Sequence, residues 1–205
     1  MLRAVITGCG SYLPARQVSN AELAELCASS DEWIVERTGI RTRHFAAVGE
    51  TASVMGAIAA RRALDAAGRS AQDVDALLFA SLSPDYLFPG CGCILQHELG
   101  LREIPCIDVR NQCAGFVLAL SIADAFVRAG SYRSILVVAS ELQSTGLRFD
   151  EEGRELAVLF GDGAGAVLLE AVDEQAGRGL IACSLASDGQ HARELFCEGP
   201  ASSRF

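Results

Sequence analysis

Short apolar runs alternate with stretches of helical hydrophobic spacing along most of the chain. Residues 4–8 form an apolar run closed by Gly8-Cys9-Gly10. Asn20 is placed to cap a helix holding Leu23 and Leu26, and Ser30 to cap a second over residues 31–37 with Trp33 inside it. After Thr51, positions Val54, Ile58 and Leu64 keep helical spacing with alanines between them, and Gly68 supplies the stop. Residues 74–80 read as a buried strand, 90–99 as a helix ended by Gly100, and 104–109 as a further strand. A helix is predicted over 114–129 with Gly130 as its stop, then strands over 135–139, 164–172 and 180–185. Strands that are apolar throughout and interleaved with helices predict a sheet covered on both faces. The expected class is α/β, layered αβα, without an internal repeat. Residues 198–205 read as loop, so the chain is expected to stop short of a finished element.

Composition narrows this picture. Hydrophobic residues make up 50% and charged residues 21% of the 205, which excludes disorder as the main state. No run approaches the length of a membrane helix, and glycine at position 8 comes too early for a secretion signal. A cytoplasmic location is expected. Seventeen basic against 26 acidic residues leave a net charge of −9, which argues against nucleic acid and anionic membrane as partners. The eight cysteines stand at 9, 27, 91, 93, 106, 113, 183 and 197. Without a secretion signal they are expected to be reduced, mostly as small core residues. The one tight pair, Cys91 and Cys93, lacks histidines at ligand spacing, so no metal is expected.

The densest chemistry lies around Cys113. A strand runs through Asp108-Val109-Arg110 into Asn111-Gln112-Cys113-Ala114-Gly115, where the next helix begins. That helix carries only Asp124 and Arg128 as charges, so it is expected to be buried all round. Unpaired N–H groups and the dipole at a helix start stabilise a thiolate, and the small Ala114 and Gly115 let a substrate approach. Two readings follow from the residues alone: a nucleophile that forms a thioester, or a buried structural cysteine at a strand–helix junction.

Several segments together resemble β-ketoacyl-ACP synthase III, a thiolase-fold condensing enzyme. They are the stretch around Cys113, Gly8-Cys9-Gly10-Ser11-Tyr12-Leu13-Pro14, the run from Ser30 through Trp33 and Arg37 to Arg41, Phe160-Gly161-Asp162-Gly163-Ala164-Gly165-Ala166, and Ser187-Asp188-Gly189. The resemblance covers essentially the whole chain. It implies the first half of a duplicated thiolase-like fold, with residues 1–172 as that half and 173–205 as the start of a connection to a second. The implied reaction moves an acyl group from acyl-CoA to Cys113 and condenses it with malonyl-ACP. Trp33 and Arg37 match residues at the CoA entrance, with Thr38 a weaker neighbour. Arg154 matches a second arginine against the adenine, although Glu155 follows where the family usually has glycine. Phe88 matches a residue that reaches the partner subunit's acyl pocket, which implies a homodimer. Asn111-Gln112 replace a small Ala-Ala pair and leave acyl-chain preference open. No cofactor is implied beyond acyl-CoA as substrate.

The same resemblance places the family's His and Asn, and part of its oxyanion hole, beyond these 205 residues. His44, His97 and His191 are not expected to substitute. An isolated half is expected to expose an apolar face and to associate. The acidic acyl carrier protein is expected to dock on the absent half or on a cluster of Arg37, Arg41 and Arg43. Related chemistries are a polyketide starter synthase and a head-to-head acyl condensation. A catalytically silent partner subunit would usually lack the cysteine, and a thiol-storage protein would not explain Trp33, Arg37 or the 161–165 loop.

Overall fold

A computed structural model describes residues 2–173, 175 and 177–196. Strands β1 (Leu2–Tyr12), β4 (Ala76–Ala80), β5 (Cys106–Val109), β6 (Ser134–Glu141) and β7 (Gly163–Asp173) form one mixed sheet in the order β1-β7-β6-β4-β5. The pairs β6–β4 and β4–β5 are parallel, whereas β7 runs antiparallel to both β6 and β1. Helices α3 (Ala52–Ala67) and α4 (Cys91–Leu99) cover one face, and α5 (Gly115–Arg128) covers the other. β4 is buried along its whole length, as a strand between two layers must be. Its residues alternate between the two cores: Leu77 and Phe79 face α3, while Ala76, Leu78 and Ala80 face α5. The layered αβα expectation is met.

The helix signals after Thr51 hold closely. Thr51 caps α3, and Gly68 ends it in the left-handed region at φ +63°. β1 runs four residues past the predicted 4–8, through Gly8 and Gly10, because both glycines lie directly under α3. A Cβ on Gly8 would sit 2.1 Å from the carbonyl oxygen of Ala63, and one on Gly10 2.1 Å from that of Ala59. The sheet and helix approach more closely than any other residue would allow.

Outside the sheet lies a small subdomain: β2 (Arg16–Ser19), α1 (Asn20–Cys27), α2 (Asp31–Thr38), β3 (Thr42–Phe45) and the single turn α6 (Arg154–Ala157). Val18, Leu23, Ile34, Phe45 and Val158 form its core. Ser19 rather than Asn20 caps α1, its hydroxyl accepting from Glu22 N at 3.1 Å. Asn20 is the first helical residue and is buried.

Three further expectations are corrected. Residues 180–185 form no strand: Leu180 N bonds Ala4 O at 2.8 Å and Arg128 holds the Leu180 carbonyl at 3.0 Å, but Ile181 is 77% exposed. The segment touches the β1 edge at one point and leaves it. α5 is not buried all round. It buries Gly115, Ala119, Ala123 and Val127 at four-residue spacing, and Val117 on another face is 46% exposed, because a single sheet layer contacts it. Nor are most cysteines in the core. Among the described residues Cys27 and Cys91 are buried, Cys106 is half-buried, and Cys9, Cys93, Cys113 and Cys183 are exposed, all as free thiols. Cys197 and the predicted loop at 198–205 lie outside the described residues.

Candidate active site

Two separate constructions carry the sequence-predicted residues. The first joins α2 and α6. Ser30 caps α2 through Trp33 N at 3.1 Å, which sets Trp33 and Arg37 one turn apart on the same face. The Asp150 carboxylate receives Gly153 N at 2.8 Å and starts the turn that becomes α6. Trp33 meets two guanidinium groups, Arg37 at 4.4 Å and Arg154 at 4.9 Å from its ring centroid. Trp33, Arg37, Thr38, Glu155, Val158 and Leu159 line a cavity of about 200 Å³.

The electrostatics of this cavity are mixed. Arg37 has only a loose, exposed pairing with Glu36 at 3.7 Å, which leaves its charge available. Arg154 donates to Ala28 O at 3.3 Å, while its buried Nε has no partner. The Glu155 carboxylate contributes the opposite sign to the same wall. The Thr38 hydroxyl is already committed, donating to Ile34 O at 2.7 Å and accepting from Ile40 N at 3.0 Å. An aromatic plane flanked by guanidinium groups suits a flat heteroaromatic ring with attached anions.

The second construction is the turn at Cys113. β5 delivers the chain to Asn111 at φ −148°, ψ 45°, and then to Gln112 at φ +43°. A left-handed non-glycine residue costs roughly 1–2 kcal/mol. It turns the backbone so that Cys113, in a short 3-10 turn spanning Gln112–Ala114, stands exposed just ahead of α5. Gly115 is buried, and a Cβ there would touch Ala80 at 3.4 Å. No side chain caps this turn or α5, and the Gly115 N–H donates to the Gln112 carbonyl. Cys113 is exposed in this chain, as the nucleophile reading requires. Elsewhere, burial pushes the Cys91 thiol up to about 12 and the Cys106 thiol up to about 11, so both remain protonated at neutral pH.

The structure brings Trp33, Arg37 and Arg154 together, with Thr38 beside them. Cys113 and Phe88 do not line that cavity. Phe88 is 86% exposed on a projecting loop with Tyr86 and Leu87, which excludes a core role in this chain. Arg43 is corrected: it is 5% exposed and its guanidinium points inward, so it cannot belong to a docking patch. Among the described residues Cys113 has no hydrogen bond to a histidine. His44 contacts Pro14 O at 2.6 Å, and His191 pairs with Glu194 at 2.5 Å. Sequence reasoning missed Val158 and Leu159, which follow a helix too short for a periodic signal. It also missed the work of Asp162, whose buried carboxylate receives Ala46 N at 2.7 Å and both the N–H and the hydroxyl of Ser144 at 2.8 and 2.6 Å. The Gly161-Asp162-Gly163 run was its only trace.

A family model described as 3-oxoacyl-[acyl-carrier-protein (ACP)] synthase III matches residues 107–189, which include the Cys113 turn. A β-ketoacyl-[acyl-carrier-protein] synthase III from Methylococcus capsulatus is 46% identical over 198 residues, 97% of this chain and 60% of that protein. By sequence the chain is similar to synthase III proteins over nearly its whole length. Among solved structures, the 3-oxoacyl-(acyl carrier protein) synthase III of Pseudomonas aeruginosa superposes with a TM-score of 0.90 at 35% identity, over 98% of this chain and 62% of that one. The priming β-ketosynthase of the R1128 polyketide pathway gives 0.78 at 41% identity, over 83% and 51%. The fold is thus the thiolase-like α/β fold of the synthase III enzymes. The chain spans about three-fifths of the length of the curated synthase III relatives it matches. Among the described residues no helix is long and apolar enough to cross a membrane.

Proposed function

We propose that this chain carries the acyl-accepting half of a β-ketoacyl-ACP synthase III. The Cys113 thiolate attacks the thioester carbonyl of an acyl-CoA, and the tetrahedral oxyanion draws on backbone N–H groups at the Cys113 turn. CoA thiolate then leaves, taking a proton, and the acyl group remains on Cys113. Malonyl-ACP loses CO2, and the resulting carbanion displaces Cys113 to form β-ketoacyl-ACP. The observation that carries this reading is an exposed cysteine on a strained turn ahead of an uncapped helix. The Trp33 cavity takes the nucleotide of CoA, with Trp33 and Arg154 against adenine and Arg37 meeting phosphate.

Residues 1–172 form the first half of the duplicated fold, and 173–205 begin the connection to the half that supplies the decarboxylating His and Asn. The exposed Phe88 loop reaches a second copy in a cytoplasmic homodimer. No cofactor is required beyond the acyl-CoA substrate. The acyl carrier protein docks on the second half or beside Arg37 and Arg41. A second reading, a synthase that primes a polyketide, rests on the 41% identity to the R1128 enzyme, below the 46–49% of the curated synthase III relatives; it keeps the cysteine chemistry. Condensation of acyl-CoA with malonyl-ACP, assayed in the complete synthase that contains this half, as wild type and as Cys113→Ala, tests the proposal. Loss of turnover is expected, and retained turnover overturns it.

A further inference from the structure

The two walls of the Trp33 cavity come from segments more than a hundred residues apart in sequence, α2 and the α6 turn. A buried polar link connects them. The Arg43 guanidinium, on β3, is 5% exposed, and its partners are three neutral oxygens. It donates to Val158 O at 3.5 Å, directly after α6, to Val18 O at 3.4 Å, and to Asn20 Oδ1 at 2.7 Å. Asn20, itself 1% exposed, turns its amide nitrogen the other way. Nδ2 donates to Asp31 Oδ1 at 2.7 Å and to Ile40 O at 2.8 Å. Asp31 is the first residue of α2, and Ile40 follows its Gly39 C-cap. One amide therefore grips both ends of the helix that bears Trp33 and Arg37, while one guanidinium grips the segment that bears Val158.

A buried guanidinium without a carboxylate is costly, and burial pushes its pKa down. An apolar side chain would fill this core more cheaply unless the long, forked donor set has a task. We infer that Arg43 and Asn20 are positioning residues that fix the spacing between Trp33 and the α6 wall, and so set the cavity's affinity for the CoA nucleotide. This rests on the reading of that cavity given above.

The test exploits the asymmetry of Asn20. Asn20→Asp keeps an acceptor for Arg43 but turns a carboxylate towards Asp31 and the Ile40 carbonyl, which severs the α2 side alone. Trp33 is the only tryptophan, so its fluorescence reports binding directly. The probe is coenzyme A, titrated into wild type, Asn20→Asp, Asp31→Asn and the double variant Asn20→Asp/Asp31→Asn, with circular dichroism to confirm folding. Asn20→Asp should weaken coenzyme A about tenfold and shift the Trp33 emission maximum. The double variant restores a donor opposite the new carboxylate and should recover most of the loss. Equal affinity in wild type and Asn20→Asp overturns the inference, as does a loss that the double variant leaves unrepaired. If Asn20→Asp does not fold, Arg43→Lys carries the same comparison and should also weaken binding. Failure of wild type to bind coenzyme A would instead overturn the nucleotide reading of the cavity.

Discussion

Replacing Asp85 with Asn should loosen the base of the Phe88 loop and make the loss depend on pH. The Asp85 carboxylate receives Ser53 N at 3.0 Å, the Thr51 hydroxyl at 2.9 Å, the Ser53 hydroxyl, and the Cys91 thiol at 3.5 Å. It therefore ties the start of α3 to both ends of the loop that projects Tyr86, Leu87 and Phe88. Burial pushes its carboxyl up, but hydrogen bonds from Ser53, Thr51 and Cys91 outweigh this and hold it below the usual carboxylate range. An amide keeps one acceptor oxygen, and the hydroxyls can rotate to accept from its nitrogen. What is lost is the charge at the helix start and the strength of charge-assisted bonds, together about 1.5–3 kcal/mol at neutral pH. With a urea m-value of roughly 2–3 kcal/mol/M, the midpoint should fall by about 0.5–1.5 M. Because the folded-state pKa is depressed, the wild-type advantage is complete above the unfolded value of about 3.9 and fades as pH falls through the folded one. Urea titrations followed by Trp33 fluorescence at pH 7 and at progressively acidic pH measure both effects. Equal midpoints at pH 7, or a gap that persists unchanged in acid, would refute the reasoning.

Gly10→Ala would drive a methyl into the Ala59 carbonyl and should cost about 3 kcal/mol or abolish soluble expression; a thermal melt within a degree of wild type contradicts the close β1–α3 approach. Trp33→Ala should raise the KM for the acyl-CoA donor about tenfold with a smaller change in kcat, since stacking acts equally on ground and transition states; an unchanged KM removes Trp33 from the site. Glu155→Gln removes an acid from the cavity wall and should tighten coenzyme A about two- to fivefold at low salt, with the gain shrinking as salt rises; weaker binding would make Glu155 a ligand contact instead.

What was legible in the sequence follows the range of each signal. The α3 boundaries could be read because Thr51 and Gly68 act within one turn of the residues they cap. β4 could be read because a fully buried strand is apolar at every position. The β2–β3 pair could not: its strands have four residues each and lie on either side of two helices, so the pairing of Arg16 with Phe45 has no local trace. The sequence pointed to Asn20 as the α1 cap, but its side chain is taken by the buried Arg43 and Ser19 caps the helix instead. The uniform hydrophobicity of α5 suggested burial on every side, but hydrophobicity alone does not say which surface covers a helix. At the candidate site, Trp33, Arg37, Arg154 and Cys113 were found through family motifs. The buried Arg43, Asn20 and Asp162 were not, because a polar residue in a polar stretch looks the same whether it faces water or the core.

The central claim is that Cys113 receives the acyl group. Intact-mass measurement of the purified protein after incubation with a short-chain acyl-CoA, followed by peptide mapping, tests it most directly. A single acyl group is expected on the peptide that contains Cys113, lost on hydroxylamine treatment and absent from Cys113→Ala. An unmodified wild type, or an adduct of equal yield in Cys113→Ala, would contradict it.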